Sequence, residues 1–226
     1  MAQKNNVDQQ NSIDKLNANL SSVGEKVVEN KKMILSVVGG VVVVAAAVVC
    51  FFLFYLNPKQ DKAYEALNQV EIKAMGNDSI ASAEYAKVAD QNSGTNAGKL
   101  AALSAAEAYY NRGDYKNALK YLEQFSTSEP VLAANALILT GDCHVNLKAY
   151  DKALECYDKA ISKADKNPQI APRVLLKKAN IFDEQKKYDK SLECYQSIKN
   201  DYPQFRIGNG LGIDAYIERE SARLGK

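Results

Sequence analysis

The sequence predicts an all-α protein: one apolar helix of membrane length, then a solenoid of helical hairpins. Three observations carry that expectation. An uninterrupted apolar run from Met33 to Leu56 holds no charged residue across 24 positions. The 170 residues beyond it are polar on average, yet their apolar residues recur at helical spacing. Within them one pattern of about ten residues appears three times, at offsets of 35 and 38. Whole-chain averages of 46% hydrophobic and 25% charged residues conceal this division, and the run argues against a chain that lives only in water.

Charge narrows the partners. Lys and Arg total 29 against 27 Asp and Glu, with 5 against 4 before the run and 24 against 23 after it. Neither flank offers the basic surface that neutralises phosphates, so no nucleic-acid partner is expected. Trp is absent and His144 is the only histidine, which disfavours a histidine-dependent triad or a multi-histidine metal site. No catalytic residue, metal or cofactor is expected, and composition favours a binding protein over an enzyme.

In chain order, residues 1–32 form a tail. Ala2 to Asn11 are rich in Asn and Gln and predict disorder, whereas Ile13, Leu16, Leu20, Val23 and Val27 fall at spacings of three and four. That seam predicts a short amphipathic helix over 13–29, lying on a membrane, docked on a partner, or simply leading into the next element. Residues 33–56 then form the membrane span, because 24 helical residues reach about 36 Å against a hydrocarbon core of about 30 Å. A cleaved signal peptide is disfavoured by the 32-residue tail and by the lack of a small-x-small site. Lys26, Lys31 and Lys32 on one side outnumber Lys59 and Lys62 on the other, which favours a cytoplasmic N-terminus. Ser36, Gly39 and Gly40 offer a surface for close packing of another transmembrane helix, unless the glycines merely reflect their frequency in such helices. Cys50 reads as a membrane-buried thiol.

Residues 57–98 predict a membrane-proximal hairpin. Ala63, Leu67, Val70 and Ala74 form one stripe, a second helix over 79–89 turns Tyr85 and Val88 inward, and Asn92 to Thr95 break the chain. Residues 99–205 hold the repeats. Aligned on Ala118, Ala153 and Ser191, each copy has an aromatic three residues earlier (Tyr115, Tyr150, Tyr188) and a small residue twelve earlier (Ala106, Gly141, Ala179). The aromatic is expected to wedge into the turn and the small residue to let two helices approach. Pro130, Pro168 and Pro203 are expected to end the second helices, since proline lacks the N–H and clashes with the preceding turn. Residues 206–226 predict a C-terminal cap through Ile213, Tyr216, Ile217 and Leu224, after the connection Gly208 to Gly212.

Over about residues 99 to 205 the sequence resembles the tetratricopeptide repeat family, whose period is about 34 residues. The resemblance implies a groove lined by the first helix of each hairpin. Its positions here are Leu100, Leu103, Glu107, Tyr110 and Asn111; then Asn135, Ile138, Asp142, Val145 and Asn146; then Arg173, Leu176, Asn180, Asp183 and Glu184. Leu103, Ile138 and Leu176 share one position, and either floor the groove or pack between hairpins. Basic residues that clamp a terminal carboxylate in the chaperone-adaptor branch are missing. An apolar floor with an acidic rim suits a protein or peptide segment of apolar and basic character.

Three cysteines follow the span. Cys156 and Cys194 share a repeat position and so lie about one repeat apart, beyond the roughly 7 Å that a disulfide allows. Cys143 with Cys156 is the only pair left open, and small packing residues are the simpler expectation.

The whole plan resembles the YfgM-like family, the ancillary subunit of the bacterial SecYEG translocon, in its Bacteroidota versions. Beyond the repeats, Ser93-Gly94-Thr95 through Ala108-Tyr109 and Tyr202-Pro203 followed by Ile213 to Glu218 carry that likeness. It implies a single-pass inner-membrane protein with periplasmic repeats, bound to SecYEG and to a membrane-anchored periplasmic prolyl isomerase, and helping exported chains in a chaperone-like way. The alternative is a scaffold of another cell-envelope assembly, for secretion or division.

Overall fold

The computed structural model describes residues 31–74, 77–207 and 212–225. The expected helix over 13–29 and the residues Gly208 to Leu211 lie outside them. All regular structure among the described residues is helical. The chain divides into two units, Met1–Pro58 and Lys59–Lys226.

In the first unit α1 spans Lys31–Phe51 and is followed by one π-helical stretch, Phe52–Leu56. Phe51 and Tyr55, one turn apart, stack with ring centroids 5.2 Å apart. Every described side chain from Met33 to Tyr55 is exposed. Ser36 donates its hydroxyl to the carbonyl of Met33 at 2.8 Å, and nothing lies within 4 Å of a Cβ built on Gly39 or Gly40.

The second unit is a right-through succession of helices. α2 (Asn57–Ala74) follows the π-helical stretch directly, so Pro58, which has no N–H to donate, stands just after the turn in which the hydrogen-bond ladder is already widened. Ala63, Leu67 and Val70 are its buried stripe. α3 (Asp78–Gln91) and α4 (Asn96–Asn111) follow, joined through a turn in which Gly94 has φ +83°. Thr95 caps α4 by accepting from the Gly98 N–H at 2.9 Å while donating to the Asn92 carbonyl at 2.7 Å. A Cβ on Gly98 would lie 2.1 Å from that carbonyl oxygen, so the cap requires glycine. The expected boundary at 98/99 therefore falls inside the first turn of α4 and moves back to Thr95.

α5 (Tyr115–Leu122), α6 (Pro130–Asn146), α7 (Tyr150–Lys163), α8 (Ala171–Glu184), α9 (Tyr188–Asp201) and α10 (Ile213–Arg223) complete the chain. The hairpins are α4/α5, α6/α7 and α8/α9, each turning at one left-handed residue five before the anchor: Gly113 (φ 77°), Lys148 (58°) and Lys186 (58°). The anchors Ala118, Ala153 and Ser191 are fully buried, as are Ala106 and Ala179. Gly141 is needed at its position, since a Cβ there would meet the Tyr157 ring at 2.4 Å.

Two of the three expected proline stops are corrected. α5 ends at Leu122, and Pro130 instead opens α6, capped by Glu129, which accepts from the Val131 N–H at 3.0 Å. α7 ends at Lys163 because Asp165 and Lys166 turn left-handed, ahead of Pro168. α9 does stop two residues before Pro203.

α2 and α3 keep the register of the repeats, 36 residues ahead of the first. Ser82 stands where Ala118 stands and is fully buried, accepting from Arg112 Nη1 at 2.7 Å. Gln60 accepts from the N–H of Asn96, its own counterpart one period later, at 3.0 Å. At the far end Phe205, Ile213, Tyr216 and Ile217 cover α9 and close the core.

Candidate functional site

The first helices of the hairpins, α4, α6 and α8, together border a pocket of about 220 Å³. It gathers Tyr110, Asp142, Val145, Asn146, Asn180 and Glu184, six of the groove positions expected from sequence, and adds Tyr157, Lys177 and Ile181. At this size it accommodates one side chain of a partner, below the range of small-molecule sites.

The other expected positions separate from it for physical reasons. Leu103 is buried in the cluster that joins α2 to α6, and Leu100 is half-buried against the same cluster, so both are core rather than groove. Ile138 packs against the cluster around Tyr157. Glu107, Asn111 and Asn135 are exposed outside the pocket. Arg173 and Leu176, at the start of α8, border a different cavity with residues 201–207.

The acidic rim is also corrected. Asp142 accepts from Tyr157 Oη at 2.6 Å and from Lys177 Nζ at 2.9 Å, and is itself mostly buried. Asp183 accepts from Arg219 Nη2 at 2.6 Å and from Tyr195 Oη at 3.3 Å. Glu184 accepts from Tyr150 Oη at 2.7 Å. The two aspartates are thus spent inside the protein, in one device used twice: a buried tyrosine of the second helix, an aspartate of the first helix, and a cation from the next element. Lys177 lies 35 residues beyond Asp142 and Arg219 lies 36 beyond Asp183, so α10 supplies the cation that a following repeat would supply. Burial, with the adjoining aspartates second, pushes the phenol of Tyr195 up to about 12 and that of Tyr157 higher still. Neither cation was singled out from the sequence. The signal that reveals them is the near-repeat spacing of opposite charges.

In the cap, Glu220 is wholly buried between two guanidinium groups, Arg219 Nε at 2.5 Å and Arg223 Nη1 at 3.1 Å. Those arginines lie over the rings of Tyr216 and Tyr188, at 5.0 and 4.9 Å from the centroids. The four cysteines are free thiols. Burial pushes Cys143 up to about 12 and Cys194 up to about 11, which leaves them protonated and poorly nucleophilic near neutrality. Among the described residues no three metal-ligating side chains converge.

Antiparallel hairpins of common register, closed by a helix that imitates the next repeat, define an α-solenoid for holding other proteins. The solenoid is made of tetratricopeptide repeats: one tetratricopeptide repeat family model matches residues 103–169 and a second matches residues 173–204. Two solved structures share the fold. The crystal structure of MamA is 17% identical with a TM-score of 0.55, covering 69% of this chain and 83% of that one. A second crystal structure of MamA protein is 16% identical with a TM-score of 0.52, covering 74% and 88%. The chain has no significant match among curated proteins. The repeats make this chain a protein–protein interaction scaffold.

Proposed function

We propose that the protein is a membrane-anchored scaffold with a chaperone-like role, whose repeats hold a segment of a partner or an exported client beside the SecYEG translocon, in the periplasm. One observation carries the anchor. From Met33 to Tyr55 the described side chains are exposed and uncharged, in a helix long enough to cross a membrane whose most apolar 18-residue stretch has a mean hydropathy of 2.9. Such a surface needs lipid around it, because water would be excluded from it only by association. The positive charges at Lys31 and Lys32 favour a cytoplasmic N-terminus. Ser36, Gly39 and Gly40 are then free to meet a second transmembrane helix, one of the translocon's among them.

The groove pocket between α4, α6 and α8 takes one side chain, with Val145 and Ile181 as its apolar wall and the amides of Asn146 and Asn180 as its polar lining, that of Asn146 already donating to the Asp142 carbonyl at 2.8 Å. Binding by the scaffold requires no chemistry, and the protein acts as a non-enzyme. The resemblance to the YfgM-like family supports SecYEG and a membrane-anchored periplasmic prolyl isomerase as partners. Photo-crosslinking from the pocket and from α1, followed by affinity purification, tests the proposal: Sec components and a periplasmic folding factor are expected. Recovery of a secretion or division complex instead would replace the translocon with another envelope assembly. Protection of the repeats from protease in spheroplasts would reverse the orientation.

A further inference from the structure

A cavity of about 640 Å³ lies away from the groove pocket, between the start of α8 and the segment after α9. Its walls are Leu176, Tyr202, Phe205 and Ile207, all only half-buried, and its charged groups are Arg173, Arg206 and Asp201. The segment that forms one wall is fixed by its own backbone and by Arg206. The N–H of Phe205 donates to the carbonyl of Tyr202 at 2.9 Å, and Arg206 Nη1 donates to the carbonyls of Pro203 and Phe205 at 2.7 and 3.0 Å. Phe205 is braced from behind by the core that α10 closes. The cavity is therefore preorganised, with apolar walls open to solvent and, among its charged lining, two guanidinium groups against one carboxylate.

We propose that this cavity is a second docking site, specific for an internal peptide segment in which a bulky apolar side chain is flanked by carboxylate side chains. Charge complementarity selects the occupant. Among the described residues Arg173 has no ion pair or hydrogen-bond partner and its side chain is exposed, so its planar fork is available to grip a carboxylate in two parallel bonds. Arg206 spends one nitrogen on the turn and keeps the rest of its charge at the rim. The volume exceeds what one side chain fills and lies within the range of ligand sites. The groove pocket has the opposite bias: Asp142 and Lys177 cancel there, leaving Glu184. One solenoid thus presents two sites of different charge preference, and the second stands whether or not the translocon is the partner.

The test is fluorescence anisotropy on the full chain in detergent micelles. The probe is a fluorescein-labelled peptide, acetylated and amidated, with Glu-Phe-Glu at its centre. Saturable binding is expected. Affinity should fall about tenfold with Arg173→Gln, the size expected from losing hydrogen bonds to a charged group. Equal losses are expected for the Gln-Phe-Gln and Glu-Ala-Glu peptides, while Arg173→Lys should retain part of the binding and Asn146→Ala in the groove all of it. Circular dichroism should show Arg173→Gln folded, as fits an exposed side chain. The proposal is overturned by absent binding, by binding indifferent to Arg173→Gln or to the glutamines, or by loss in Asn146→Ala, which would move the peptide to the groove. It is also overturned if a peptide without glutamate but with a free terminal carboxylate binds more tightly, or if inorganic phosphate alone displaces the probe.

Discussion

Between α3 and α4 the contact surface is alanine, whereas from α6 to α10 it is tyrosine and charge. Ala81, Ala86 and Ala89 on α3 face Ala101, Ala102 and Ala105 on α4, all nearly or wholly buried in one cluster. Side chains this small let helix backbones come close and trade directional contacts for dispersion and burial. Farther along, Tyr157 and Tyr195 fill the equivalent space, and each phenol is tied to an aspartate and a cation. Among the described residues, every ion pair lies between Asp142 and Arg223. The same repeat register therefore supports two kinds of adhesion, one mainly apolar, in which Tyr121 donating to Asp90 at 3.1 Å is a lone tyrosine–aspartate tie among the described residues, and one in which such ties are completed by a cation.

The largest effect that separates them is expected at Tyr157. Tyr157→Ala empties a fully buried site beneath Gly141 and strands Asp142 without its phenol, and should cost about 3–5 kcal/mol in denaturant unfolding. Ala101→Leu overpacks the alanine seam and should cost about 1–3 kcal/mol. If Ala101→Leu proves the costlier, the seam is the tighter half and the comparison inverts.

Alkaline pH should come next and weigh more on the second half, because burial raises the Tyr121 phenol too but shifts those of Tyr157 and Tyr195 furthest. The folded-state phenols of Tyr157 and Tyr195 titrate above the unfolded value of 10.0, that of Tyr195 at about 12. A raised pKa gives stability that is complete below about pH 10 and is lost as pH climbs toward about 12. Tyrosinate absorbance and circular dichroism should therefore show α6–α10 failing over that window, and Tyr195→Phe should flatten its share. A smaller effect belongs to the ion pair. A double-mutant cycle on Asp142 and Lys177 should give a coupling of about 0.5–1 kcal/mol at low salt, since the lysine is 41% exposed. The coupling should shrink at about 1 M salt; if it is salt-independent, the pair is effectively sealed from solvent. Smallest of all, Lys148→Gly relieves a left-handed lysine but loosens the unfolded chain, and thermal melts should move by no more than about 0.5 kcal/mol equivalent.

Much of this is legible in the sequence. The recurring tyrosine, small residue and anchor report contacts within one hairpin, so a local pattern discloses them. The hairpin α2/α3 was expected, but its register was hidden because Ser79 occupies the place of Tyr115, Tyr150 and Tyr188. The groove was half legible. Position along the first helix told that Tyr110, Val145 and Asn146 share a face, but not that Asp142 and Asp183 are already occupied. That depends on Lys177 and Arg219, which reach across from another repeat and from the cap. The second cavity was the least visible part. Residues 173–176 and 201–207 meet only because α9 folds back along α8, and no periodicity marks the loop that ends there.

The cap has a consequence for the length of the array. Arg219 answers Asp183 as Lys177 answers Asp142, so α10 is read by its neighbour as one more incoming unit. Its own inner acid, Glu220, is then neutralised by Arg219 and Arg223 from the same helix, so it asks nothing of a further module. α10 thus works like a terminator that fits any array whose last hairpin carries the tyrosine and aspartate. Duplicating α8/α9 would lengthen the protein without redesigning its end, whereas deleting α10 would leave an open, charged edge that invites growth by a second chain.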